Sequence, residues 1–309
     1  MAGAAAVLAL AVVVLGAYVR LSSAGLSCPD WPGCYGHLTV AAAQRHEAAV
    51  DHAYPSHPLE PGKARKEMVH RYAAGTLGLL VLGLAVASRP RPGRPSRRLL
   101  LLLLGLVIVQ ALLGMWTVTL QLTPLVVTAH LVGGMSVLAL LWLLVLSDGS
   151  AHTDVPAPAC LRWWALAGLV VLGLQIALGG WTSANYAALA CPDFPTCHGQ
   201  WWPPADFGAG FSTVASGSAA LTAIHLAHRL GAMLTLAVLL TLAWRAWRAP
   251  RGARALALTA AALAITQVVL GIANVLEGLP LPLAIAHNAV AALLLLSVVT
   301  LNALLWRGA

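Results

Sequence analysis

Long apolar runs alternate along the chain with short polar joints. Runs long enough to cross a bilayer core of about 30 Å, which takes about 20 helical residues, lie at 3–22, 67–88, 99–119, 125–146, 163–183, 221–243, 255–276 and 283–305. The pattern predicts eight membrane-spanning helices. The first run has no basic lead-in and continues past Arg20 without a small-residue cleavage site, so it reads as a retained span and not as a cleaved signal. A few residues are expected ahead of Met1, where a basic segment would anchor it. Composition agrees: 60% of residues are hydrophobic and 9% charged, against roughly 25% charged in a soluble domain.

Lys and Arg number 18 against 10 Asp and Glu, an excess that also occurs in nucleic-acid binders. Their placement points elsewhere. Arg89, Arg91, Arg94, Arg97 and Arg98 fill one connection, Arg245, Arg248, Arg251 and Arg254 another, and Arg162 and Arg307 fall on the same face. By the positive-inside rule these joints are cytoplasmic, both termini are inside, and the remaining loops face out. The expected place is the bacterial inner (plasma) membrane, and no nucleic acid is implied.

The chain repeats itself. "CPDWPGCYG" at 28–36 returns as "CPDFPTCHG" at 191–199, and "EMVHRYAAGTLGLLVL" at 67–82 aligns with "IHLAHRLGAMLTLAVLL" at 224–240, which sets His70 on His228. Gln110 to His130 and Gln267 to His287 then share a spacing of twenty. The expectation is an all-α integral membrane protein whose eight transmembrane helices form two pseudo-symmetric four-helix bundles. The bundles are set at 1–147 and 163–309, with a cytoplasmic linker at 148–162.

Ionisable groups inside a span are costly, and each is a functional candidate. His70, His130, His228 and His287 qualify, each placed by the apolar runs in the first turn of an even-numbered span. Two imidazoles per bundle at similar depth suit a flat metal ring clamped on both faces, because haem iron accepts axial histidine. The plainer alternative is a polar packing residue; zinc is disfavoured for want of a third ligand. Arg71 and Arg229 follow two of the histidines and match either a haem propionate or an interface anchor, with Arg20 a weaker case. Glu67 stands three residues before His70 on the same helical face, where the second half has His225. A carboxylate there can act as a general base or stabilise positive charge, unless it is a solvated acid at a helix start.

Cys28 with Cys34 and Cys191 with Cys197 bracket short Pro-containing loops on the oxidising face, where a disulfide staple or a redox-active dithiol can form. Cys160 is left over on the cytoplasmic side. His37, His46, His52 and His57 lie in a polar stretch without regular ligand spacing and read as solvated loop. Gln-x-x-Leu-Gly at Gln110, Gln175 and Gln267 reads as helix packing, with an amide bonding across and Gly allowing close approach.

"CPDWPGC", "EMVHR", "TAH" and the closing "AHNA" together resemble haem A synthase, a bacterial family with mitochondrial relatives, and the likeness runs through essentially the whole chain. The resemblance implies eight spans in two bundles and oxidation of the C8 methyl group of haem O to a formyl group, by successive hydroxylations and loss of water. It implies that His70 and His130 flank the substrate haem with Glu67 as the catalytic carboxylate, and that His228 and His287 ligate a permanent haem b. Cys28–Cys34 and Cys191–Cys197 correspond to the family's loop pairs. The 36–66 stretch matches no family pattern. Implied partners are haem O, the haem O synthase (a protohaem farnesyltransferase), an electron acceptor, membrane lipid and a further copy of the chain. Two rival readings use the same histidines: a di-haem b electron-transfer cytochrome, which leaves Glu67 idle, and a transporter or receptor with histidine proton relays.

Overall fold

A computed structural model describes residues 1–87, 97–148, 159–212 and 217–306. Arg89, Arg91, Arg94, Arg307 and most of the expected 148–162 linker lie outside the described residues. Among those described, regular structure is helical, and eight helices are long and apolar enough to cross a membrane. These are α1 (Ala2–Leu21), α4 (Pro61–Ala87), α5 (Arg97–Thr119), α6 (Pro124–Asp148), α7 (Ala159–Ala184), α9 (Ser218–Arg245), α10 (Arg251–Leu276) and α11 (Leu281–Trp306). Three short helices sit in the loops: α2 (Val40–Arg45), α3 (Glu47–Ala53) and α8 (Phe207–Gly210).

Proline sets many of the starts. Pro61 and Pro124 open α4 and α6, where the missing N–H has no helical partner to lose. Pro250 and Pro280 directly precede α10 and α11. Several spans begin earlier than their apolar runs, α4 by the widest margin. An apolar run marks only the part of a helix that lies in hydrocarbon, and Lys63, Arg65 and Lys66 are good helix formers that carry α4 further toward water. His70 therefore stands in the third turn of its helix and not in the first.

The chain divides into two compact units, Met1–Leu141 and Trp142–Ala309, the division falling inside α6. In the first, α1 packs on α4 and α4 on α5. Ala2, Ala5, Ala6 and Ala9 form the buried face of α1, and small residues at helical spacing let backbones approach. In the second, α7 packs on α9 and α11, and α10 on α11 and α9, with Ala253, Ala257, Ala260, Ala261 and Ala264 buried along α10. Two polar bonds tie spans there: Trp142 Nε1 donates to Thr300 Oγ1 at 2.7 Å, and Asn302 Nδ2 to the Ala165 carbonyl at 2.9 Å.

The two cysteine loops share one construction. Cys28 is joined to Cys34 and Cys191 to Cys197 by disulfides. Tyr35–Gly36 and His198–Gly199 turn the chain with φ of 55° and 74°, and of 53° and 72°, the consecutive left-handed pair of a type I′ hairpin, which favours glycine. Cys34 and His37 exchange both backbone hydrogen bonds, at 2.8 and 3.1 Å, as do Cys197 and Gln200, at 2.9 and 3.1 Å. The Asp30 carboxylate accepts the N–H groups of Tyr35 and Gly36 at 2.6 and 2.8 Å. Asp193 accepts those of His198 and Gly199 at 2.6 and 2.9 Å, and the Thr196 hydroxyl. The repeated letters C, D, C and G are thus a closed turn and the acceptor that holds it.

Between the first loop and α4, the stretch whose histidines read as solvated loop also carries apolar residues that pack together. Thr39 Oγ1 caps α2 by accepting the Ala42 N–H. Val40, Ala43, Val50 and Leu59 then bury against the disulfide, Tyr35 and Met68, because those apolar positions recur on one side of α2 and α3. Burial, and then the carboxylates of Asp51, Glu60, Glu67 and Asp30, push the Tyr35 phenol up. His46 and His52 are exposed, and the His37 and His46 rings stack at 5.5 Å. Among the described residues no group of three or more His, Cys, Asp or Glu is placed to hold a metal ion.

The Thr196 hydroxyl, followed by the Gly199 and His198 N–H groups, holds the Asp193 carboxyl down at about 2. A lowered native value stabilises the loop above the ordinary value of 3.8, and that contribution is lost as pH falls toward about 2. Amide-exchange protection factors at His198 and Gly199 are expected to be constant above that ordinary value and to drop below it. In Asp193→Ala they are expected to be low throughout.

Candidate functional site

Glu67 is 4% exposed, and both of its oxygens are engaged. Oε2 accepts the Cys28 N–H at 3.0 Å, and Oε1 accepts from Arg71 Nη2 at 2.5 Å, one turn further along α4. The spacing of Glu and Arg at i,i+4 lets the two side chains meet on one helix face. Arg71 Nη1 donates to the Asp30 carbonyl at 2.8 Å, the Pro32 carbonyl at 3.4 Å and the Gly33 carbonyl. The acid and the base together fasten the disulfide loop to α4.

The second unit builds the same fastening without the carboxylate. The Cys191 N–H donates to His225 Nδ1 at 3.1 Å. Arg229 donates to the carbonyls of Thr196, Cys191 and Asp193 at 2.9, 3.0 and 2.8 Å, while its Nε lies 3.3 Å from His225 Nε2. His225 is 4% exposed. An imidazole therefore stands in the second unit where the first holds a carboxyl group. Arg71 and Arg229, weighed as propionate partners or interface anchors, direct their guanidinium groups to loop carbonyls.

The four in-span histidines meet glycines. A Cβ on Gly16 of α1 would fall 3.0 Å from His70 Cε1, and one on Gly114 of α5 would fall 3.4 Å from His130 Cε1. In the second unit, a Cβ on Gly179 of α7 would lie 3.2 Å from His228 Cε1, and one on Gly271 of α10 would lie 3.4 Å from His287 Cε1. Each imidazole thus lies on the bare backbone of a neighbouring helix. His70 is within electrostatic range of His130, and His228 within range of His287. Nδ1 of His70, His130 and His287 is buried, and the backbone of Val12, Gln110 and Gln267 lies beside the three rings in turn.

The glycine seats went unrecognised in the sequence, although a signal existed. Three of them close the Gln-x-x-Leu-Gly segments, and the fourth closes Val12-Val-Val-Leu-Gly16, which has Val in place of Gln. Asp30 and Asp193 were likewise legible only as letters of a repeat. Cys160 is exposed and unpaired, with Arg245 Nη1 3.3 Å from its sulfur.

Eight apolar helices, two in-span histidines set against glycines in each unit, and a buried carboxyl group in the first define a polytopic membrane protein. Residues 1–299 match the COX15-CtaA family, described as cytochrome oxidase assembly protein, and the chain belongs to that family. It is 45% identical to a protein of Shewanella oneidensis named Heme A synthase, over 97% of this chain and 94% of the relative. Proteins with the same name in Methylobacterium sp. (strain 4-46) and Caulobacter vibrioides are 31% and 29% identical, over 94% and 98% of this chain and 87% and 93% of theirs.

The Glu67–Arg71 pair has side chains only 5% and 12% exposed, so removing one partner strands a buried charge at about 3–5 kcal/mol. Arg71→Met is expected to lower the midpoint of thermal unfolding in detergent, and adding Glu67→Leu to recover most of the loss.

Proposed function

We propose that this protein is a haem A synthase that oxidises the C8 methyl group of haem O to a formyl group. The observation that carries the reading is the pairing of two histidine couples with a single carboxylate. Both units have the glycine-seated imidazoles that a planar iron complex needs, and only the first has an anion beside them. The residues fit such a group: a Cβ at Gly16 or Gly179 would press on its imidazole, Gly114 and Gly271 seat theirs at ordinary contact distance, and the buried Nδ1 atoms of His70, His130 and His287 leave Nε2 as the ligating atom.

In this reading His70 and His130 grip the iron of the substrate, while His228 and His287 hold a resident haem b. That cofactor supplies one-electron chemistry to the second unit. With imidazoles on both faces of the substrate iron no coordination position is open, so water delivers the new oxygen atom to the methyl carbon. Each hydroxylation adds the oxygen of one water and releases two protons and two electrons, the electrons passing to an external acceptor. The geminal diol then loses water to leave the aldehyde. Glu67 stands in α4 one turn from His70, fixed by Arg71 and the Cys28 N–H. A carboxylate held in this way stabilises positive charge developing at the substrate, and its remaining lone pairs can receive the departing proton. His225 cannot supply that charge.

The arginine-bearing ends of α5, α7, α9 and α10 support an orientation in the plasma membrane with both termini cytoplasmic and the disulfide loops outside. Haem O then arrives within the bilayer from a farnesyltransferase acting on protohaem. The bundle at 1–147 is the substrate unit and that at 163–309 the cofactor unit.

Co-production of the chain with a source of haem O, followed by pigment extraction, is expected to yield haem A. Glu67→Gln is expected to retain haem while haem O or its alcohol accumulates. Unchanged haem A output from that variant would remove Glu67 from the reaction. Gly16→Val and Gly114→Val are expected to lose the low-spin absorbance of the first unit while keeping that of the second.

A further inference from the structure

Arg71 and Arg229 are engaged on loop carbonyls, so the carboxylates of a bound porphyrin must be met elsewhere. The first unit carries two further cations at a suitable level. α1 runs toward the disulfide loop and α4 runs back from it, and the two helices pack together with Gly16 against His70. Arg20 stands four residues after Gly16, and Lys66 four residues before His70. Each therefore lies one turn further toward the loop, on the helix face that makes the contact. Lys66 reaches across to α1, where its Nζ lies over the Tyr18 ring at 4.9 Å from the centroid. It also lines an open hollow at the start of α4 with Glu60 and Lys63, and there Lys63 takes the Glu60 carboxylate at 2.8 Å. Arg20 Nε is buried, and a guanidinium carries several N–H donors, enough to keep a protein partner and take a carboxylate as well.

The second unit has neither cation. Ser183 stands four residues after Gly179 and Ile224 four residues before His228, and Ile224 is fully buried. Two units that share glycine seats and loop fastenings thus differ one turn above the first histidine. Glu67 directly follows Lys66 in α4, so the carboxyl group and the two cations of the first unit occupy the same level.

We infer that Lys66 and Arg20 form the subsite for the two propionates of haem O, and that they thereby select which methyl group is presented to Glu67. The inference rests on the reading of the first unit as the substrate site. A carboxylate is costly in hydrocarbon, so a porphyrin gripped by His70 and His130 turns its propionate edge toward the loop end of the bundle. The two cations stand at that end, and an ammonium or guanidinium meets a carboxylate through charge-assisted hydrogen bonds. The C8 methyl shares its pyrrole ring with a propionate, as one other methyl of the porphyrin does. Fixing the propionate edge at the level of Glu67 brings that methyl to the same level and leaves the two methyls of the far edge out of reach. A haem that is held and not modified requires no such choice, and Ser183 and Ile224 impose none.

The test is an absorbance titration of the full-length protein, its second unit already holding haem b, with haem O and with haem O dimethyl ester, in which both carboxylates are masked. The wild-type protein is expected to bind haem O about tenfold or more tightly than the ester, because one hydrogen bond to a charged group is worth roughly a factor of ten. Lys66→Met and Arg20→Gln are each expected to weaken haem O about tenfold and to leave the ester unaffected, while Lys66→Arg keeps the preference for the free acid. Equal affinity of the wild-type protein for acid and ester would overturn the subsite, and that result needs no variant to fold. Losses shared equally by acid and ester in both variants would also overturn it, and would assign the two cations to lipid anchoring or packing. A low-spin signal from haem O that survives His70→Ala combined with His130→Ala would instead overturn the placement of the substrate in the first unit, on which the inference depends.

Discussion

A polar or charged side chain inside an apolar bilayer must find its partner on the protein, since no water is there to supply one. That constraint organises both units. Glu67 is tolerable within α4 because Arg71 and the Cys28 N–H meet its two oxygens. The Cys28 N–H belongs to the loop whose turn Asp30 closes. The loop, its disulfide and the carboxylate form one continuous chain of contacts, so the stability of the loop and the placement of the candidate catalytic group are a single problem. The same logic holds in the second unit, where His225 takes the Cys191 N–H and Arg229 takes the loop carbonyls.

Duplication with one exchange gives the chain its chemistry. An imidazole can replace a carboxylate as the acceptor of a loop N–H, and so the fold of the second loop survives the change from Glu to His. It cannot replace a fixed negative charge. The two units thereby keep one loop architecture on different acceptors.

The glycine seats show how close packing serves ligation. Helices joined through alanine and glycine faces approach closely, and an imidazole laid on a bare glycine backbone has fewer ways to turn than one in an open cavity. Such a ring is held by shape as well as by the neighbouring backbone, as for His70, His130 and His287 beside Val12, Gln110 and Gln267. A planar ligand between two rings held in this way meets a preformed clamp.

The spans and the two couples were legible in the sequence because each rests on a strong local signal: an unbroken apolar run of about 20 residues, and an ionisable letter interrupting it. Duplication made the couples legible a second time, through the equal spacing from Gln110 to His130 and from Gln267 to His287. Apolar periodicity does not report where a helix ends in water, and so the start of α4 was misplaced. Nor does it report the small core of Val40, Val50 and Leu59, whose positions become one face only after α2 and α3 fold over the disulfide. What the amino-acid order determined by itself was which groups must be buried: membrane spans, histidines and a carboxylate, fixed by transfer cost. Only the tertiary structure decided what each of those groups would touch. Arg71 and Arg229 reach loop carbonyls, and Gly16 and Gly179 lie under imidazoles, because such contacts depend on distances between helices that no local pattern encodes.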